Sequence, residues 1–201
     1  MSNALVVKNS GKSIIIQFNR PEIRSPLSIF VLDELNEILN ETSKNETIET
    51  IIFTGKSDVF ASGADLREIA NVTENSAREF ALRGQNLMNT INASDKKTIA
   101  AINGFCFGGA LDLALACDER IASPNAVFSH PGASLGIITG WGGTQRLPRL
   151  VGEAKALEMF LTAKRVDATE AMRIGLIDKI SDNPLAESIA NNQTNSTSIS
   201  L

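Results

Sequence analysis

Two glycine-rich turns about 45 residues apart hold the residues best suited to chemistry: Phe60-Ala61-Ser62-Gly63-Ala64-Asp65 and Asn103-Gly104-Phe105-Cys106-Phe107-Gly108-Gly109-Ala110-Leu111-Asp112. Each follows an apolar, strand-like run (Ile51-Ile52-Phe53, then Ile99-Ala100-Ala101-Ile102) and precedes a helical pattern. Each can therefore present backbone N–H groups at a helix entrance. Two such donors aimed at one point form an oxyanion hole, which suits a carbonyl oxygen that gains negative charge, as when a thioester becomes an enolate. Asp112 stands three residues into the second helix, and His130 is the only histidine of the chain, with an ordinary pKa of about 6.5.

Alternating strands and helices must position these groups. Leu5-Val6-Val7 and Ser13 to Phe18 flank the turn Asn9-Ser10-Gly11-Lys12 and predict a β-hairpin. Apolar residues at Ile29, Leu32, Leu35, Ile38 and Leu39 recur at helical spacing, and Ala77 to Ile91 forms a second amphipathic pattern. Thr98 to Ile102 is short and apolar on both sides, as expected of a strand in a covered parallel sheet. A short helix through about Cys117, strands at 120–122 and 126–128, helices from about Thr144, Glu153 and Ala168, and a last strand at 177–180 complete an α/β pattern with right-handed crossovers. The polar, aperiodic segment 183–201 is expected to be a disordered tail after a core of residues 1–182.

Composition narrows the partners. With 201 residues, 43% hydrophobic and 21% charged, the chain has the length and apolar content for one core. A net charge of -4 leaves no basic footprint for nucleic acid or an anionic membrane surface, so a small-molecule substrate is the expectation. No run of about 18 apolar residues is present, and Met1 to Ser10 contains neither an apolar h-region nor an arginine, so a cytoplasmic location is expected. Cys106 and Cys117 lack metal-ligand spacing and read as a buried, reduced pair; no metal site is expected.

The two turns, together with Asn19-Arg20-Pro21, Ala100-Ala101-Ile102-Asn103-Gly104, Ala114-Leu115-Ala116-Cys117-Asp118 and Gly142-Gly143-Thr144-Gln145-Arg146-Leu147-Pro148-Arg149-Leu150-Val151-Gly152, resemble the enoyl-CoA hydratase/isomerase family, the crotonases. Leu161-Thr162, Ala168, Ala171 and Gly175-Leu176-Ile177 continue the likeness, which covers roughly residues 4–182. The resemblance implies a crotonase (ClpP-like) fold of repeated ββα units, here lacking most of the usual C-terminal helical region. It implies that the Ala64 and Gly109 N–H groups form the hole around an acyl-CoA carbonyl. It also places Ser62 and Asp65 at the adenine end of coenzyme A and makes Arg24 either a pyrophosphate partner or a solvated cation. A homo-oligomer, a trimer or paired trimers, is implied as well, with no permanently bound cofactor and a role in fatty acid metabolism.

The chain departs from the hydratase pattern of two glutamates. Asp112 stands at the first position, one methylene shorter, and Gly132 stands at the second. Neither Thr139 nor Gly140 supplies the aspartate of related isomerases and dehalogenases. Asp112 is an acid/base group or a capping carboxylate: a helix N-terminus lowers its pKa and an apolar pocket raises it. Strand alternation keeps positions 130 and 132 on one side, so His130 is a catalytic base or a hydrogen-bonded structural ring. Trp141 walls the acyl pocket or packs beneath the next helix. The expected function is an acyl-CoA thioester enzyme, first an enoyl-CoA hydratase-like lyase; an enoyl-CoA isomerase with one acid/base group and a non-catalytic acyl-CoA binder are the alternatives.

Overall fold

A computed structural model describes residues 3–195. The chain opens with the expected hairpin, β1 (Leu5–Ser10) and β2 (Ser13–Phe18). It continues through α1 (Ile29–Ser43), β3 (Thr50–Thr54), β4 (Val59–Ala61), α2 (Leu66–Ile69), α3 (Glu74–Asn92), β5 (Lys97–Ile102) and β6 (Phe105–Phe107). Next come α4 (Gly109–Ala116), β7 (Glu119–Ala122), β8 (Val127–Ser129), α5 (Gly143–Val151) and α6 (Glu153–Thr162). The last described elements are β9 (Val166–Asp167), α7 (Ala168–Arg173), β10 (Lys179–Ile180) and α8 (Pro184–Asn195).

The strands form two sheets. The larger has the order β1-β2-β3-β5-β7-β10, parallel from β2 onward, and the smaller has the order β4-β6-β8-β9. Strand periodicity divides the apolar residues of the larger sheet between its faces. Ile14, Ile16, Ile51, Phe53, Ala100 and Ile102 enter the main core, while Ile15, Ile52, Ile99, Ala101 and Ile121 form a second cluster on the opposite face. Both faces are covered, so the strands read as continuous apolar runs.

That second face explains one correction. The segment from 183 was expected to be disordered, yet Pro184–Asn195 is helical. Leu185 and Ile189, four residues apart, pack on the second cluster, and Ser188 between them is buried with its hydroxyl donating to the Pro184 carbonyl. Leu185 and Ile189 are the only large apolar residues of Pro184–Asn195, and one such pair carries too little periodic signal to announce a helix. The remainder of the expected tail, 196–201, lies outside the described residues.

The smaller sheet is the second correction. The glycine turns were expected to follow the strands now named β3 and β5 directly; instead β4 and β6 intervene, each three residues long. β4, β6 and β8 run parallel, so their C-terminal ends lie side by side. Three loops, 62–65, 108–109 and 130–142, therefore leave one edge of the fold together. This register brings the chemistry into one place.

Candidate functional site

The first two loops meet at close quarters. Gly63 has φ +87° and Gly108 φ +55°, left-handed values that a side chain resists. A Cβ on Gly63 would lie 2.5 Å from the Gly109 nitrogen, and one on Gly109 would lie 3.4 Å from the Ala64 nitrogen. The Ala64 and Gly109 nitrogens are thus neighbours. The Gly63 carbonyl accepts from Leu27 N–H at 2.8 Å, and Gly108 N–H donates to the Ser129 carbonyl at 2.9 Å, which fixes each turn to a strand or bridge beside it. Gly109 opens α4, where a first-turn N–H has no acceptor within its own helix.

Trp141 supports this arrangement from below. It is buried, and its indole lies between two glycines: a Cβ on Gly84 of α3 would come within 2.3 Å of the ring, and so would a Cβ on Gly109. Phe80 stacks against it at 6.0 Å. Trp141 both walls the cavity and packs under α4.

Ala64, Gly109, Asp112, His130, Gly132 and Trp141 all line one cavity of about 350 Å³. Its walls come from α2, α3 and the 131–141 loop and are mostly apolar. Asp112 is completely buried. Its Oδ2 accepts a hydrogen bond from the Thr139 hydroxyl, and its Oδ1 has no hydrogen-bond partner. Desolvation raises its pKa to about 6, against the Thr139 hydroxyl, the nearby Trp141 and Gly143 N–H groups and the Arg146 charge, all of which favour the anion. Burial therefore outweighs the helix N-terminus, and the carboxyl is poised near neutrality.

His130 is only 2% exposed. Its Nε2 stands 3.6 Å from Asp112 Oδ1, and neither ring nitrogen has a hydrogen-bond partner. Desolvation lowers its pKa to about 4, so the ring is neutral at pH 7 and the pair is not an ion pair. Phe160 of α6 holds the ring face at 5.1 Å.

Gly132 lines the cavity but has no room for a side chain. A Cβ there would lie 2.6 Å from the Ile137 carbonyl oxygen, because the 3-10 turn Pro131–Leu135 folds the loop back and Ile137 N–H donates to the Gly132 carbonyl at 3.0 Å. Gly140, by contrast, faces open space.

The residues expected at the coenzyme A end fall in different places. Ser62 lines the cavity mouth. Asp65 does not: it caps α2, accepting from Arg67 N–H, and pairs with the Arg67 guanidinium at 2.6 Å, which holds its pKa below the usual carboxylate range. Arg24 is exposed at the end of the 3-10 turn Pro21–Ile23 with φ 63°, outside the cavity lining. Sequence reasoning named Thr139 only for the carboxylate it lacks and missed its bond to Asp112. Nothing in Ile137-Ile138-Thr139-Gly140 marks a hydroxyl that a folded loop delivers to a helix 27 residues earlier.

Among the described residues no group of three or more His, Cys, Asp and Glu side chains converges as metal ligands would, and no helix is long and apolar enough to cross a membrane. Residues 9–192 match the enoyl-CoA hydratase/isomerase family. The crotonyl-CoA hydratase of Syntrophomonas wolfei is 40% identical over 177 residues, 88% of this chain and 68% of that protein. The short-chain-enoyl-CoA hydratase of Clostridium acetobutylicum is 37% identical over 89% of this chain and 69% of its own length. Among solved structures, DspI of Pseudomonas aeruginosa superposes with a TM-score of 0.90 at 34% identity, covering 100% of this chain and 82% of that one. An enoyl-CoA hydratase of Bacillus anthracis gives 0.88 at 34% identity, covering 96% and 76%. Paired glycine turns, two interlocked sheets and this extent of likeness together mean that the chain belongs to the enoyl-CoA hydratase/isomerase family, the crotonases.

Proposed function

We propose that the chain is an acyl-CoA thioester enzyme of the enoyl-CoA hydratase type, with Ala64 and Gly109 N–H groups holding the thioester oxygen and Asp112 moving the proton. The observation that carries this reading is the meeting, in one apolar cavity, of the two turn nitrogens with a buried carboxyl of pKa about 6. An oxyanion donor is worth ~10²–10³ in rate. An acid/base group contributes most when its pKa lies near the working pH. As water adds to Cβ of the enoyl group, Asp112 takes a proton from it, the thioester oxygen becomes an enolate on the two N–H groups, and Asp112 returns the proton to Cα.

A second reading, isomerisation of an enoyl thioester, is favoured by the closed space at Gly132. Asp112 alone would carry a proton between Cα and Cγ of the same enolate. Coenzyme A is proposed to lie along the mouth past Ser62, with Arg24 beside its phosphates and Asp65 shaping α2. No resident cofactor is part of this reading. Homo-oligomer formation belongs to it and is supported by the exposure of Leu157 and Leu161 on α6; two free, buried cysteines support a cytoplasmic location.

The test is turnover of crotonyl-CoA and of a 3-enoyl-CoA by wild type and Asp112→Asn. The variant is expected to lose at least ~10²-fold in kcat while still binding thioester. Wild type that binds the thioester and turns over neither substrate would refute both enzyme readings and leave an acyl-CoA binder.

A further inference from the structure

The Asp112 carboxyl leaves one question of the site open, namely what holds the water. His130 Nε2 and Asp112 Oδ1 are both buried, neither is bonded to another side chain, and both belong to residues that line the cavity, with the Trp141 and Gly143 N–H groups beside the carboxylate. Their separation of 3.6 Å exceeds a direct hydrogen bond of ~2.7–3.2 Å, yet a single oxygen can lie within reach of both. Two unsatisfied polar atoms in an apolar chamber are costly unless a third polar group joins them.

Resting on the hydratase reading, we infer that His130 is a catalytic residue specific to hydration: its neutral imidazole and Asp112 Oδ1 together hold the attacking water. The step balances without a charged histidine. A water lone pair forms the bond to Cβ, the Cα–Cβ π pair moves to the enolate, one water proton passes to Asp112 and then to Cα, and the other stays on the new hydroxyl, hydrogen-bonded to Nε2. His130 neither gains nor loses a proton overall.

Three features of the fold suit the ring to this task. Gly108 N–H bonds the Ser129 carbonyl, which ties the residue before His130 to the oxyanion turn. Phe160 packs on the ring and limits its rotation. The turn that closes position 132 excludes a second carboxylate, and a neutral ring beside Asp112 avoids the like-charge repulsion that two anions would suffer in a dry pocket. Burial keeps the imidazole neutral at pH 7, in keeping with its lowered pKa of about 4.

Hydration needs the held water, whereas exchange of the α-proton of a saturated acyl-CoA in D₂O needs only Asp112 and the hole. The experiment compares both rates in wild type, His130→Phe and His130→Asn. His130→Phe is expected to lose about 10²-fold in hydration of crotonyl-CoA while α-proton exchange stays within about threefold of wild type. His130→Asn, which restores a polar atom, is expected to recover about tenfold of that loss. Hydration and exchange falling by the same factor would assign His130 a structural role and overturn the inference, as would unchanged hydration. Wild type that catalyses neither process would overturn the hydratase reading itself, a result distinguishable from both.

Discussion

Burial of Asp112 and His130 side by side has a measurable consequence for stability. A difference of one in pKa between folded and unfolded chains is worth ~1.4 kcal/mol. Asp112 rises from 3.8 to about 6 on folding. Between those values the folded chain keeps a proton that the unfolded chain has lost, so this group lowers stability as pH rises, by about 3 kcal/mol in all. His130 falls from 6.5 to about 4. Across that interval the unfolded chain is protonated and the folded ring is not, so this group raises stability with pH, again by about 3 kcal/mol. The two slopes oppose each other over nearly the same range and largely cancel in wild type. Removing either group uncovers the other. Relative to wild type, Asp112→Asn should gain up to about 3 kcal/mol as pH rises from 4 to 6, and His130→Asn should lose a similar amount as pH rises from 4 to 6.5. Urea unfolding of the three proteins at half-unit steps of pH, at constant ionic strength, measures both. Subtracting the wild-type curve removes background from surface carboxylates and from Asp65, which Arg67 holds low in all three proteins. Variant curves parallel to wild type, or of the opposite signs, would refute the claim that desolvation dominates both groups.

Two further outcomes follow from the packing of the site. Gly109→Ala places a methyl 2.3 Å from the Trp141 ring, which Gly84 confines on its other side, so the turn must shift; we expect a stability loss of ~1–3 kcal/mol and a fall of ~10²-fold in kcat, read by thermal melting and thioester turnover. Gly132→Glu restores a carboxylate in sequence but drives its Cβ to 2.6 Å from the Ile137 oxygen, so it should lower the melting temperature without raising hydration, whereas Gly140→Asp, which meets open space, should stay within ~0.5 kcal/mol of wild type; a more active Gly132→Glu enzyme would contradict this.

Much of the fold was legible in sequence where one periodicity dominated. The hairpin of β1 and β2, the helices α1 and α3, and the two-sided apolar strands β3 and β5 were all readable, because each has enough residues for a face to repeat. The three-residue strands β4 and β6, the four-residue helix α2 and the two-residue β9 were not, whereas β8 and β10, equally short, were placed by their apolar residues without a full period. α8 was hidden because its apolar contacts are two residues in a polar segment, and only the second face of the sheet gives them a place to bury.

At the site, the sequence alone determined where the two glycine turns stand. Gly63 and Gly108–Gly109 stand before helices, and a backbone N–H is supplied by position in the chain regardless of side chain, so the turns proposed as oxyanion donors could be placed from order and glycine content. The groups proposed to move protons were different, because residue type does not set a pKa or an orientation. Asp112 at a helix start could be a cap or an acid, and His130 could be a ring in the core or a partner to it. Only the parallel register of β4, β6 and β8 brings His130 to within 3.6 Å of Asp112, and only burial in the shared cavity moves their pKa values to about 4 and about 6. Local pattern records what the backbone does over a few residues. Proximity and dielectric environment arise from elements far apart in the chain, and those the tertiary structure alone decided.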